Sequence, residues 1–187
     1  MKRLRLILIL IFVAIACAVF LSWRELRREK KYFPQIRAAA ARFKVDPLLV
    51  KAVVWRESKF HPNVRGKAGE IGLMQIQEIA ALEWVEADRI ENFEHEQCFD
   101  PGTNVLAGTF YLSKLMKRYT NTDNPVPYAL ADYNAGRGNV LKWNKGAAAT
   151  NSGIFISQIG FPGTKSYVKA IKRRYVFYRL LARIGLE

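Results

Sequence analysis

From Leu6 to Leu21 the chain is an unbroken apolar run of sixteen residues, preceded by Lys2, Arg3 and Arg5 and followed by Ser22-Trp23-Arg24. A helix with no polar face does not fit the surface of a soluble domain, so this stretch reads as a membrane anchor or a signal peptide. It is short beside the roughly 20 residues usual for a span, but Trp23 and the flanking cations can seat both ends at the interfaces. Ala14-Ile15-Ala16 offers a small-x-small cleavage pattern, and Cys17 a position for lipidation. Apolar residues continue to Leu21, so cleavage leaves a greasy new terminus, and an uncleaved signal anchor is the preferred reading. Cations lie on both sides (Arg24, Arg27, Arg28, Lys30, Lys31), so charge bias alone does not fix the orientation.

The remainder of the 187 residues suffices for one domain of ordinary size. The expected division is an anchor or signal over 1–23, a charged connector and first helix over 24–44, and the folded domain over 45–187. Thirty Lys and Arg stand against 16 Asp and Glu, a formal +14, and beyond the apolar run 27 basic less 16 acidic residues leave +11. That balance suits a polyanionic neighbour such as nucleic acid, anionic lipid or an acidic wall polymer. No zinc spacing, Gly-rich phosphate loop or RNA-binding aromatic signature accompanies it, which makes nucleic acid the weakest of the three. Cys17 and Cys98 are too differently placed to pair, and Cys98 reads as a structural thiol. His61 and His95 lack metal-ligand spacing, so neither a metal nor a cofactor is expected.

Strand alternation and internal repeats are absent, and the pattern is mainly α. An alanine-rich helix is expected over Ile36–Phe43. Asp46-Pro47 and Asp100-Pro101 each place a capping acid before a proline suited to the first helical position. The first opens a helix with Leu48, Leu49, Ala52, Val53 and Trp55 on its apolar face; the second opens a long core helix through Tyr119. Helices are also expected over Ile76–Asp88 and Pro125–Ala135, the latter stopped by Gly136. Gly138–Phe161 reads as a loop, and Thr164 as the cap of a final basic helix reaching about Ile184, with Lys169, Lys172, Arg173 and Arg174 on a solvated face. Asp100 is a cap, and Asp132 is expected to be exposed.

The helix opened at Pro47 delivers Val54-Trp55-Arg56-Glu57-Ser58. A carboxylic acid at the end of an apolar, aromatic helix can stay protonated near neutral pH, which makes Glu57 the first catalytic candidate. Most glutamates at helix ends are merely solvated, and other blocks of sequence outweigh that reading here. They are Glu57-Ser58-x-Phe60-x-Pro62, Gly72-Leu73-Met74-Gln75, Asp100-Pro101-x-x-Asn104-Val105-x-x-Gly108-x-x-Tyr111-Leu112, Tyr133-Asn134-Ala135-Gly136 and Thr164-x-x-Tyr167-Val168. In order and spacing they resemble the soluble lytic transglycosylase family, from about Val45 to Val176.

The resemblance implies a lysozyme-like, goose-type α-helical fold beside the N-terminal anchor helix. It implies peptidoglycan as partner, the bacterial inner membrane contacted through residues 6–22, and a catalytic domain in the periplasm, or secreted there if the N-terminus is cleaved. The implied reaction cleaves the β-1,4 bond between N-acetylmuramic acid and N-acetylglucosamine and leaves a 1,6-anhydromuramyl end. Glu57 serves as acid and then as base, where ordinary glycosidases use two carboxylates. Gln75 and Tyr133 are expected to line the sugar cleft with Asn134 in support, and the Tyr133 hydroxyl to stand near Glu57 or the N-acetyl group. Ser58, Met74 and Tyr167 complete the candidate binding residues, although Ser58 is also a natural helix-end hydrogen bonder and Met74 and Tyr167 natural core residues.

Several positions depart from the family pattern. Gly66 stands where many members carry serine, Gln77 where methionine is common, and Gly163 where the final block usually has a glutamate. Glu70 occupies a position usually held by a small residue; goose-type lysozymes have an aspartate at that offset. Glu70 is therefore either an exposed loop glutamate or a second carboxylate that activates water and shifts the outcome to hydrolysis. Three readings follow: a transglycosylase, a muramidase using Glu57 with Glu70, and a catalytically silent wall-binding scaffold of an envelope machine.

Overall fold

The computed structural model describes residues 2–186. Its eight helices are α1 (Lys2–Phe43), α2 (Pro47–Ser58), α3 (Glu78–Asp88), α4 (Pro101–Arg118), α5 (Pro125–Ala135), α6 (Arg137–Trp143), α7 (Ser152–Gln158) and α8 (Pro162–Arg183). Among the described residues the only β features are isolated bridges joining Arg65 to Ile71 and Ile71 to Ile76.

The two Asp-Pro signatures act as expected. The Asp46 carboxylate accepts from the Leu48 amide at 2.8 Å and opens α2, and Asp100 accepts from Thr103 at the same distance and opens α4. α2 is buried at every position from Leu48 to Val54, which makes it the central helix of the bundle. It runs between α1 and α8, while α4 packs on α1, α3 and α5. Most of the core gathers around α2; a smaller cluster of Ile71, Ile76, Ala80, Ala81, Trp84, Cys98 and Ala107 lies under α3.

Three regions differ from the sequence expectations. The segment 24–44 is not a connector leading into a helix at Ile36, because α1 continues from the apolar run through Pro34 to Phe43. Tyr32, Ile36, Ala39 and Ala40 of that segment belong to the main core, and their burial outweighs the helix-breaking tendency of one exposed proline. Gly138–Phe161 is not a loop: α6, a 3-10 turn at Gly146–Ala149 and α7 fill it. Each short helix is held by a few buried side chains, notably Val140, Trp143 and Phe155, and Phe155 stacks on Tyr128 at 4.0 Å. Thr164 does not cap α8, which starts at Pro162; its hydroxyl donates instead to Asn134 Oδ1 at 2.8 Å.

Two charged positions are also less exposed than expected. Asp132 is buried and accepts from Arg118 and from the Tyr119 hydroxyl, each at 2.6 Å. Arg174 does not join a solvated face. It bonds Glu29 at 2.7 Å and Glu25 at 3.1 Å. Glu29, only 4 % exposed, also accepts from Tyr178 at 2.7 Å and faces Lys51 at 3.3 Å. Removing one member of such a buried set strands the others without a counter-charge. Glu29→Ala is therefore expected to lower the unfolding free energy by about 3–5 kcal/mol, and Tyr178→Phe by about 1 kcal/mol, measured by urea denaturation.

Candidate active site

Glu57 lies in the last turn of α2, which ends in a left-handed Lys59 whose amide returns to the Trp55 carbonyl. The chain then folds back through residues 60–77, with Phe60 and Gln75 also at positive φ. Asn104 of α4, fully buried, fastens this return. Its Nδ2 donates to the carbonyls of Ile71 and Cys98 at 2.8 Å each, and its Oδ1 accepts from the Met74 amide at 2.7 Å. Gly72 is required beside it, because φ is +79° and a Cβ there would fall 2.1 Å from Asn104 Nδ2. Two further hydroxyls hold the same strip of backbone: Ser58 donates to the Leu73 carbonyl at 2.8 Å, and Tyr133 to that of Met74 at 2.8 Å.

The Glu57 carboxyl accepts a hydrogen bond from the Tyr167 hydroxyl at 2.5 Å. Burial raises its pKa from an ordinary 4.5 to about 7; the Tyr167 bond and the Arg56 charge pull it down, and Glu70 pushes it up. The Tyr167 phenol is itself driven well above its usual range, first by burial and then by the Glu57 charge, so it remains a donor. A cleft of about 450 Å³ opens over the acid, its wall formed by Glu57, Glu70, Gln75, Tyr111, Tyr133 and Asn134 among others. Gln75 spends its amide hydrogens on the carbonyls of Val64 and Gly72, both at 2.9 Å, which leaves Oε1 as an acceptor. Asn134 accepts from Thr164 through Oδ1, which leaves its amide hydrogens as donors. Among the described residues no three His, Cys, Asp or Glu side chains stand close enough to hold a metal ion.

Of the candidate residues, Glu57, Glu70, Gln75, Tyr133 and Asn134 meet in this cleft. Ser58, Met74 and Tyr167 are buried and do not line it. Ser58 and Met74 belong to the wall that shapes it, and Tyr167 stands behind Glu57. The hydroxyl expected near the acid from Tyr133 comes from Tyr167, while Tyr133 is engaged with the Met74 carbonyl. Tyr111, part of the helix expected to be core, lies against Tyr133 with ring centroids 5.6 Å apart and lines the cleft. Periodicity identifies an inward-facing side chain but not whether core or cavity lies there. Asn104 was visible only as a letter in a motif; no local pattern announces a long-range hydrogen-bond hub.

Gly66 and Glu70 lie against each other. Glu70 Oε2 accepts from the Ala68 amide at 3.0 Å, and a Cβ on Gly66 would sit 2.3 Å from that oxygen. The glycine leaves the volume that the glutamate carboxyl occupies.

A family model for the transglycosylase SLT domain matches residues 34–156. The membrane-bound lytic murein transglycosylase F of Desulfosudis oleivorans is 36% identical over 116 residues, covering 60% of this chain and 24% of that protein. The soluble lytic murein transglycosylase of Escherichia coli strain K12 is 33% identical over 130 residues, 68% of this chain and 20% of that one. The crystal structure of the 70 kDa soluble lytic transglycosylase from Escherichia coli superimposes with a TM-score of 0.71 at 28% identity, covering 80% of this chain and 24% of that one. An inactive mutant of the lytic transglycosylase Slt from Pseudomonas aeruginosa gives 0.72 at 25% identity, with 82% and 24% covered. The chain thus spans a fifth to a quarter of the length of these relatives. The family match ends before α8, so Tyr167 lies outside it. With the motifs, the lysozyme-like helical fold and a family match over about two thirds of its length in agreement, the chain belongs to the transglycosylase SLT domain family.

Proposed function

We propose that the protein is a peptidoglycan lytic transglycosylase held in the bacterial inner membrane by residues 6–22 of α1, with its catalytic domain in the periplasm. The observation that carries this reading is Glu57, a carboxyl raised to about 7 and lining a cleft of ligand-binding size. The lytic murein transglycosylases among its relatives support the substrate. The exposed apolar surface from Leu4 to Leu21 supports the anchor.

Protonated Glu57 donates to the glycosidic oxygen as the bond from C1 of N-acetylmuramic acid breaks, and N-acetylglucosamine leaves. The positive charge at C1 is stabilised by the substrate's own N-acetyl oxygen. Glu57, now a carboxylate, takes the proton of the muramyl 6-hydroxyl as O6 bonds to C1. The acid is regenerated and no water is consumed. Gln75 Oε1 and the Asn134 amide supply an acceptor and a donor for the sugar substituents, and Tyr167 holds the Glu57 carboxyl in place.

A second reading draws on Glu70, whose carboxyl shares the cleft and is fixed by the Ala68 amide. There it would activate a water that attacks C1 and yields a reducing muramyl end, as in two-carboxylate glycosidases. Mass spectrometry of sacculi digested by the full chain in detergent separates the two. Anhydromuramyl ends made by wild type and lost in Glu57→Gln are the expected result. Reducing ends that fall in Glu70→Ala would favour the muramidase. No Glu57-dependent product would overturn both in favour of a wall-binding role.

Because the donor form of Glu57 is the acid, kcat/KM is expected to fall above about pH 7. Tyr167→Phe removes the bond that favours the carboxylate, so that limb should move to higher pH while the rate at pH 6 drops about 10- to 100-fold. The same shift has a stability consequence. A carboxyl whose pKa rises on folding favours the folded state fully below its unfolded value of 4.5, and that contribution is lost as pH rises through about 7. Glu57→Gln carries no such loss. Thermal melts should show it more stable than wild type at pH 8 by up to about 3 kcal/mol, with the difference vanishing near pH 4.

A further inference from the structure

With α1 spanning the membrane, as proposed above, the ties between α1 and the domain decide how far the cleft stands from the bilayer. α1 continues without a break from the apolar run to Phe43. Four residues past Leu21, Glu25 accepts from Trp55 Nε1 at 2.9 Å and from Arg174 at 3.1 Å. One turn further, Glu29 engages Arg174, Tyr178 and Lys51. The Trp55 ring is itself covered by Lys59 Nζ, 3.1 Å from its centroid, and by Arg174 at 4.7 Å. No free joint separates anchor from domain. From Leu21 to Glu25 there are only about 6 Å of helix.

The pairing also sets direction. Lys51 meets Glu29 and Trp55 meets Glu25, so α2 runs antiparallel to α1, back toward the apolar segment. Glu57 lies half a turn beyond Trp55. Counted along α1 at about 1.5 Å per residue, the catalytic carboxyl stands within about 10 Å of the level at which the apolar run ends. Tyr167 meets Glu57, and Arg56 lies over the Tyr167 ring at 5.3 Å, so the start of α8 shares this level. The side chains found there suit a headgroup layer: Trp23, Arg24, Arg27 and Arg28 on α1, Lys59 after α2, and Lys169 on α8.

We infer that α1 is a rigid post rather than a tether, holding the cleft at headgroup level and restricting cleavage to glycan strands that lie against the membrane. The reaction class that supplies such strands is glycosyl transfer at the membrane surface, so the substrate is newly polymerised glycan rather than wall farther out.

The test uses the full chain in vesicles containing anionic phospholipid and nitroxide-labelled headgroups. Single labels are placed at His61→Cys or Ala41→Cys in a Cys17→Ser background; Cys98 is buried. His61 is bonded to the Ser58 carbonyl at the end of α2, whereas Ala41 lies about 30 Å up α1 from Leu21. Quenching should be several-fold stronger at position 61. Inserting eighteen helix-forming residues after Ser22 adds five turns, about 27 Å, and leaves Glu25 and Glu29 in register with their partners. That insertion should abolish quenching at 61. It should also cut release of fragments from membrane-held strands at least tenfold, while leaving digestion of free sacculi in detergent unchanged. Equal quenching at the two positions, or quenching at 61 that survives the insertion, would overturn the post. Loss of sacculus digestion in every form would instead refute the enzymatic reading, whatever the quenching shows.

Discussion

A carboxylic acid that must hold its proton near neutral pH has to be kept from water, and the fold around Glu57 answers to that requirement. In the proposed mechanism full burial would make the acid inert, since it must also ionise between the two steps. The site balances the two demands. Desolvation at the end of α2 raises the pKa, while the Tyr167 hydroxyl and the Arg56 charge limit the rise to about 7. The desolvation and the Arg56 charge come from α2 itself, whereas the Tyr167 hydroxyl comes from α8, far away in sequence. A change in how α8 packs therefore acts on the Glu57 carboxyl through this hydrogen bond.

The opposite wall of the cleft depends on backbone held by side chains rather than by a sheet. Asn104, Ser58 and Tyr133 together satisfy Ile71, Leu73, Met74 and Cys98, so the return after α2 keeps its shape without regular structure. Close packing leaves little freedom there. Gly72 lies against Asn104, and a Cβ on Gly108 would come within 2.8 Å of the Met74 Cβ. Gly66 and Glu70 fit together in the same wall: the absent side chain of the glycine leaves room for the Glu70 carboxyl, and the Gly66 amide donates to the Glu70 carbonyl.

The sequence revealed features whose causes are local. The Asp-Pro caps, the buried run of α2 and the acid at its end all follow from neighbours a few residues apart, and all are found in the structure. The motif blocks brought Gln75, Tyr133 and Asn134 to the same cleft as Glu57. What escaped has long-range causes. The placement of Tyr167 rests on a partner 110 residues away, and the burial of Asp132 on Arg118 at the end of α4 and on Tyr119 just after it. The short helices α6 and α7 rest on Trp143 and Phe155 finding the core, not on propensity.

The segment after the apolar run is the most instructive case. Its charge density suggested a solvated connector, yet Glu25 and Glu29 face inward, toward Trp55, Lys51 and Arg174. Contacts between α1 and the core therefore start at these glutamates, about one turn past the apolar run. The two cations that Glu29 neutralises lie on α2 and α8, the helices that carry Glu57 and Tyr167. A long tether would let a catalytic domain range through the wall, but it would need a segment free of ties to the core. Here the same carboxylates that neutralise buried cations also bind α1 to α2 and α8. If α1 spans the membrane as proposed, stability of the domain and its height above the bilayer are set by one group of contacts, and neither can be altered there without the other.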